Sequence, residues 1–64
     1  MSISKDQFIK ALWVNWNYPQ SVFEEVYEVA ETVDIALEFM EYYDGVDQDL
    51  GTVEEFYNDF MEIY

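Results

Sequence analysis

Val22, Val26, Val29, Val33, Ala36, Met40 and Tyr43 follow one another at spacings 4-3-4-3-4-3. An apolar stripe of that period lies on one side of the chain only if the backbone is helical. Read as one element, the segment gives a helix of about 22 residues and about 33 Å, at a rise of 1.5 Å per residue. Gly45 stands where a C-terminal cap belongs. The weakest stretch is Thr32-Val33-Asp34-Ile35, poor helix formers at which the element is expected to kink or split if it does so anywhere.

Capping boxes mark three helix starts, each a Ser or Thr with Glu or Gln three residues later: Ser4 with Gln7, Ser21 with Glu24, and Thr52 with Glu55. Ile3 and Phe8 also stand at the positions of a hydrophobic staple. The first helix is expected from about Lys5 to Asn15, with Phe8, Leu12, Trp13 and Trp16 inward. It ends before Pro19, which biases Tyr18 away from helix. The last helix begins at Val53 and turns Val53, Phe56, Phe60 and Ile63 inward. The expected fold is therefore all-α, one domain over residues 1–64, a three-helix bundle with a long central helix. Because the apolar heptad is longer than its two neighbours, a helical homodimer is a second arrangement consistent with the pattern.

A chain of 64 residues buries only about 60% of its unfolded surface, so it depends on a dense core. Aromatic residues make up 20% of the chain and supply that density. Against this stands the charge: Asp and Glu number 15, Lys and Arg 2, and the formal net charge is −13. Lys5 and Lys10 both precede Gln20, so every charged side chain from there to Tyr64 is negative. Such a chain repels nucleic acid and anionic membrane and is attracted to basic surfaces. It contains neither cysteine nor histidine, which removes thiolate sites and the commonest general base. No signal peptide or membrane span is legible, and a cytoplasmic protein is expected.

On a helical wheel of the central segment, Glu24, Glu28, Glu31, Asp34, Glu38 and Glu41 fall opposite the apolar stripe. The plain reading is a solvated back face. Three features point beyond it. Glu24 with Glu28, Asp34 with Glu38, and Glu55 with Asp59 are like charges four apart, each destabilising by about 0.2–0.5 kcal/mol. Tyr27, Ile35 and Tyr42 project among the carboxylates with Phe39 close by, combining negative charge with large apolar bodies. A continuous helix would also space its acids at about one per 4 Å, near the ~3.4 Å phosphate interval of one DNA strand.

Other constellations are weaker. Asp44, Asp47 and Asp49 invite a calcium reading, but the EF-hand register puts Thr52 where glycine is needed and Asn58 where the bidentate glutamate belongs. No metal or cofactor site is therefore expected, and Asp44 to Gly51 reads as an acidic turn. No pair of carboxylates in a cleft, nucleophile system or phosphate-cradling loop is apparent, so an enzyme is not expected. Trp13 and Trp16 read as core, the alternative being an exposed dimer contact.

Size, charge and helical aromatics together resemble the small acidic proteins with which bacteriophages and mobile elements disable host defence, including anti-CRISPR and antirestriction DNA mimics. The run Glu54-Glu55-Phe56-Tyr57-Asn58-Asp59 is similar to an acidic stretch of one type II-A anti-CRISPR family that occupies the PAM-reading site of its target nuclease. That family also contains a sheet, which this sequence does not predict. The resemblance implies an inhibitor that engages the basic groove of a nucleic-acid-binding protein, without itself binding nucleic acid or membrane. The expected contact surface is Glu24, Glu28, Glu31, Asp34, Glu38, Glu41 and Asp44 along the central helix, extended by Asp47, Asp49, Glu54, Glu55, Asp59 and Glu62. Tyr27, Phe39, Tyr42 and Tyr57 are its expected apolar anchors. The alternative is a structural or assembly protein, a helical homodimer whose acidity only keeps it soluble.

Overall fold

The computed structural model describes residues 4–64; Ile3, half of the expected staple, lies outside them. Among the described residues all regular structure is helical: α1 (Lys5–Trp13), α2 (Gln20–Val29), α3 (Val33–Asp44) and α4 (Val53–Ile63), with a short 3-10 turn at Gln48–Leu50. The all-α expectation holds. The count does not, because the single long central helix is two helices.

Two of the three expected boxes form. The Ser4 hydroxyl accepts from the Gln7 amide at 3.2 Å while the Ser4 amide donates to the Gln7 side chain at 3.3 Å. Thr52 and Glu55 do the same at α4, at 3.1 and 2.9 Å. The Ser21 box does not form. Pro19, with φ −58° and extended ψ, stands at the N-cap, and its carbonyl accepts from the Val22 amide, so α2 starts before Ser21 can cap it. Glu24 instead accepts from the Gln20 carboxamide at 3.1 Å.

The break falls at Ala30-Glu31-Thr32. Ala30 is extended (φ −80°, ψ 138°), and Thr32 is extended with its hydroxyl accepting from the Ile35 amide at 3.1 Å. Thr32 thus caps α3, and Asp34 adds a negative charge in its first turn, where the helix dipole favours one. Size gives the tertiary reason. A continuous helix of about 33 Å exceeds the 29 Å longest dimension of the molecule, and its ends would have nothing to cover them.

Breaking there lets both halves bury their apolar sides. α1 and α4 each pack against both α2 and α3, whereas α2 and α3 meet each other only slightly. Phe23, Val26, Phe39, Met40 and Leu12 are sealed at the centre. Around Phe39 lie Tyr57 and Phe60, ring centroids 5.3 and 5.6 Å away, and Tyr43 at 5.7 Å. Such pairs contribute about 0.5–1.5 kcal/mol each beyond area burial, which helps a chain this small to hold a core.

Two elements differ from their expected faces. α1 buries Phe8, Ile9 and Leu12 but ends at Trp13, which is 65% exposed. At about 100° per residue Trp13 lies ~90° from the centre of that buried arc, so it is not core. Trp16, beyond the helix, does pack on the core. In α4 Tyr57 takes the inward place expected of Ile63, which is 74% exposed. The 3-10 turn between α3 and α4 is fixed by Asp47, whose carboxylate accepts from the Asp49 amide at 3.1 Å.

Candidate partner-binding surface

A carboxylate in a core lacking cationic partners would be costly to desolvate. No polar or charged side chain is buried among the described residues, and every Asp and Glu is exposed except the half-buried Glu24. The acids therefore have one common location, the solvent boundary, but they are not one row. Glu24, Glu25 and Glu28 stand on α2 and Glu31 in the turn. Asp34, Glu38, Glu41 and Asp44 stand on α3, Asp47 and Asp49 in the loop, and Glu54, Glu55, Asp59 and Glu62 on α4. The rod of evenly spaced charges expected from a continuous helix is thus replaced by two shorter ones, about 15 and 18 Å long, each leaning on α1 and α4.

The expected anchors divide. Phe39 is fully buried and Tyr57 is 8% exposed, so both are core residues and not contact residues. Tyr27 and Tyr42 are half-buried, Tyr27 set edge-on against Phe8 at 5.1 Å and Tyr42 tilted against Phe60 at 5.7 Å. The apolar side chains that do face solvent are others: Trp13, Val14, Leu50, Met61, Ile63 and Tyr64. For Trp13 the signal was present in its wheel position; for Leu50 and Ile63 it was not, because their exposure follows from where the neighbouring helices stop.

The most differentiated part of the surface is the outer side of α3. Asp34, Leu37, Glu38 and Glu41 share an arc of about 100° there. On one flank the Tyr64 phenol lies near Glu38 and Asp34; the Glu38 carboxylate above all, with a smaller contribution from burial, raises the Tyr64 pKa. On the other flank, a groove of about 240 Å³ between α3 and the end of α1 is lined by Asn15, Trp16, Leu37, Glu38 and Glu41.

Three further phenols titrate higher than usual. Burial raises Tyr57, with Glu31 adding to it. Burial also raises Tyr43, with Glu25 adding to it, and raises Tyr18, helped by its hydrogen bond to Asp44. No group of three or more His, Cys, Asp or Glu side chains placed to hold a metal occurs among the described residues. No described helix is long and apolar enough to cross a membrane. Comparison with protein families, curated proteins and solved structures finds no match for this chain.

Proposed function

We propose that the chain is a non-catalytic binding protein that presents its carboxylates to a basic groove on a nucleic-acid-binding protein and thereby competes with nucleic acid, as an inhibitor of a defence nuclease, restriction enzyme or CRISPR effector does. One observation carries this reading: at a net charge of −13, essentially every carboxylate is exposed and only Lys5 and Lys10 are cationic. Solubility alone is served by a surface of mixed sign. A single-sign surface gives up stability to self-repulsion and gains steering toward a positive partner. The broken α2–α3 row favours a contact wrapped over several short acidic faces above one straight strand-like rod.

The test is displacement. Immobilised chain is offered lysate from cells that carry restriction or CRISPR systems, and each retained protein is assayed for its grip on labelled DNA. The expected partner releases its DNA as the chain is added, and the effect fades with salt. Retained proteins that keep their DNA at saturating chain would overturn the reading.

A second reading, a helical homodimer with a structural role, is favoured by the exposure of Trp13 and Val14 at one end of α1. It predicts self-association that strengthens with salt, visible by sedimentation.

A further inference from the structure

We propose that the groove lined by Asn15, Trp16, Leu37, Glu38 and Glu41 is the docking point for an arginine side chain of the basic partner, an inference that rests on the reading just given. The groove has an apolar floor and an acidic rim. Trp16 and Leu37 form the floor; both are half-buried and packed on the core, so their orientation is held from behind. The end of α1 is fixed as well: the amides of Asn15 and Trp16 donate to the Leu12 carbonyl at 3.1 and 2.9 Å, and the Asn15 carboxamide donates to the Ala11 carbonyl at 3.1 Å. Glu38 and Glu41 are exposed on neighbouring turns of α3 and stand at the rim.

Complementarity selects the occupant. A hydrocarbon side chain would cover the indole but leave two carboxylates partly desolvated without a partner. A lysine would meet the carboxylates, yet its compact ammonium is strongly hydrated and does not stack. A guanidinium is planar and weakly hydrated, stacks on an indole face, and presents a fork of donors to carboxylates, while its methylene stem lies along apolar surface. Neither lysine of the chain lines this groove, so its acids are left to an outside cation. A second depression, about 470 Å³, is lined by Lys5, Ser21, Glu24, Glu25 and Glu28; it already has a lysine among its glutamates and lacks an apolar floor.

The probes are oligoarginine and oligolysine peptides of equal length, titrated at low salt into the full chain. Affinities of every variant are read by calorimetry, and in a Trp13→Phe background, where Trp16 is the only indole, its ring N–H resonance reports whether the peptide reaches the groove. Oligoarginine is expected to bind about two- to fivefold more tightly than oligolysine, the ratio that one exposed cation–π contact supplies, and to shift Trp16 and Leu37. Trp16→Leu should erase the preference while leaving residual binding to both peptides. The pair Glu38→Gln with Glu41→Gln should weaken oligoarginine more than Glu24→Gln with Glu28→Gln, an equal change in charge. If Trp16→Leu fails to fold, the comparison of the two glutamate pairs decides. Equal affinity for the two peptides, a preference that survives Trp16→Leu, or equal effects of the two glutamate pairs would overturn the groove and leave the general acidic-surface reading standing. Binding of neither peptide would overturn both.

Discussion

The Tyr18 hydroxyl donates to the Asp44 carboxylate across 26 residues of sequence and ties the segment after α1 to the end of α3. Gln48 completes the tie, donating to the Tyr18 oxygen and to the Tyr43 carbonyl, each at 3.0 Å. The three side chains connect otherwise separate loops at one end of the helices. Tyr18→Phe keeps the ring, which sits edge-on to Phe23 and Tyr43, and removes only the hydroxyl. The expected loss is about 1 kcal/mol, that of an ordinary hydrogen bond and less than a buried charged acceptor would give, because the Asp44 carboxylate is exposed. For a domain of this size that lowers Tm by about 4–8 °C. Thermal melting followed by circular dichroism checks it; an unchanged Tm would show that water replaces the bond without loss.

The raised phenols give the fold an alkaline limit. Tyr18, Tyr43 and Tyr57 all bind their protons more tightly when folded, chiefly through burial. A folded pKa above the unfolded one contributes stability that is fully present below the unfolded value, about 10, and is lost as pH rises through the folded value. Stability should therefore be insensitive to these groups at neutrality and fall above pH ~10. Tyrosinate absorbance and far-ultraviolet circular dichroism, recorded together, should change in step for these phenols. Ionisation of all six tyrosines with the helices intact would contradict the prediction.

Thr32 separates two accounts of the α2–α3 break. If the break were a local failure of propensity, Thr32→Ala would repair it and raise helicity, since alanine is the better helix former. If the break is imposed by packing, the same change only removes the hydroxyl that accepts from the Ile35 amide. The second outcome is expected: a loss of about 1 kcal/mol with no gain in helix signal. Urea titration with circular dichroism measures both quantities at once.

Phe39 and Tyr42, adjacent by wheel position and both expected as anchors, should respond to very different degrees. Phe39→Ala empties the centre of the aromatic cluster and costs about 3–5 kcal/mol, a large part of what a small domain has. It is expected to leave the chain largely unfolded at 37 °C by proton NMR. Tyr42→Ala, at a half-buried site, should remain folded and melt lower.

Self-repulsion should be visible as a salt effect of positive sign. Raising ionic strength from 0.1 M to 1 M shortens the screening length from about 10 to about 3 Å. With a net charge of −13 and only Lys5 and Lys10 as cations, the Tm should rise over that range. A falling Tm in sodium chloride would mean that favourable charge pairs dominate.

What the sequence determined by itself was local or compositional. The Ser4 and Thr52 boxes depend on side chains three residues apart and form as expected. The period of Val22, Val26, Val29, Val33, Ala36, Met40 and Tyr43 marked an inward face; Val26, Ala36, Met40 and Tyr43 are buried, and Val22, Val29 and Val33 are half-buried. The period persists across the break because each half keeps its own inward face, so periodicity did not reveal where the helix ends. Only tertiary structure decided that Pro19 starts α2, that Thr32 caps α3, that Phe39 and Tyr57 lie inside, and that Ile63 lies outside. Each of these depends on what surface the other helices have to offer. A chain of this size minimises exposed apolar area by folding the long segment back between α1 and α4, and that comparison of whole arrangements is not written in any local stretch of residues.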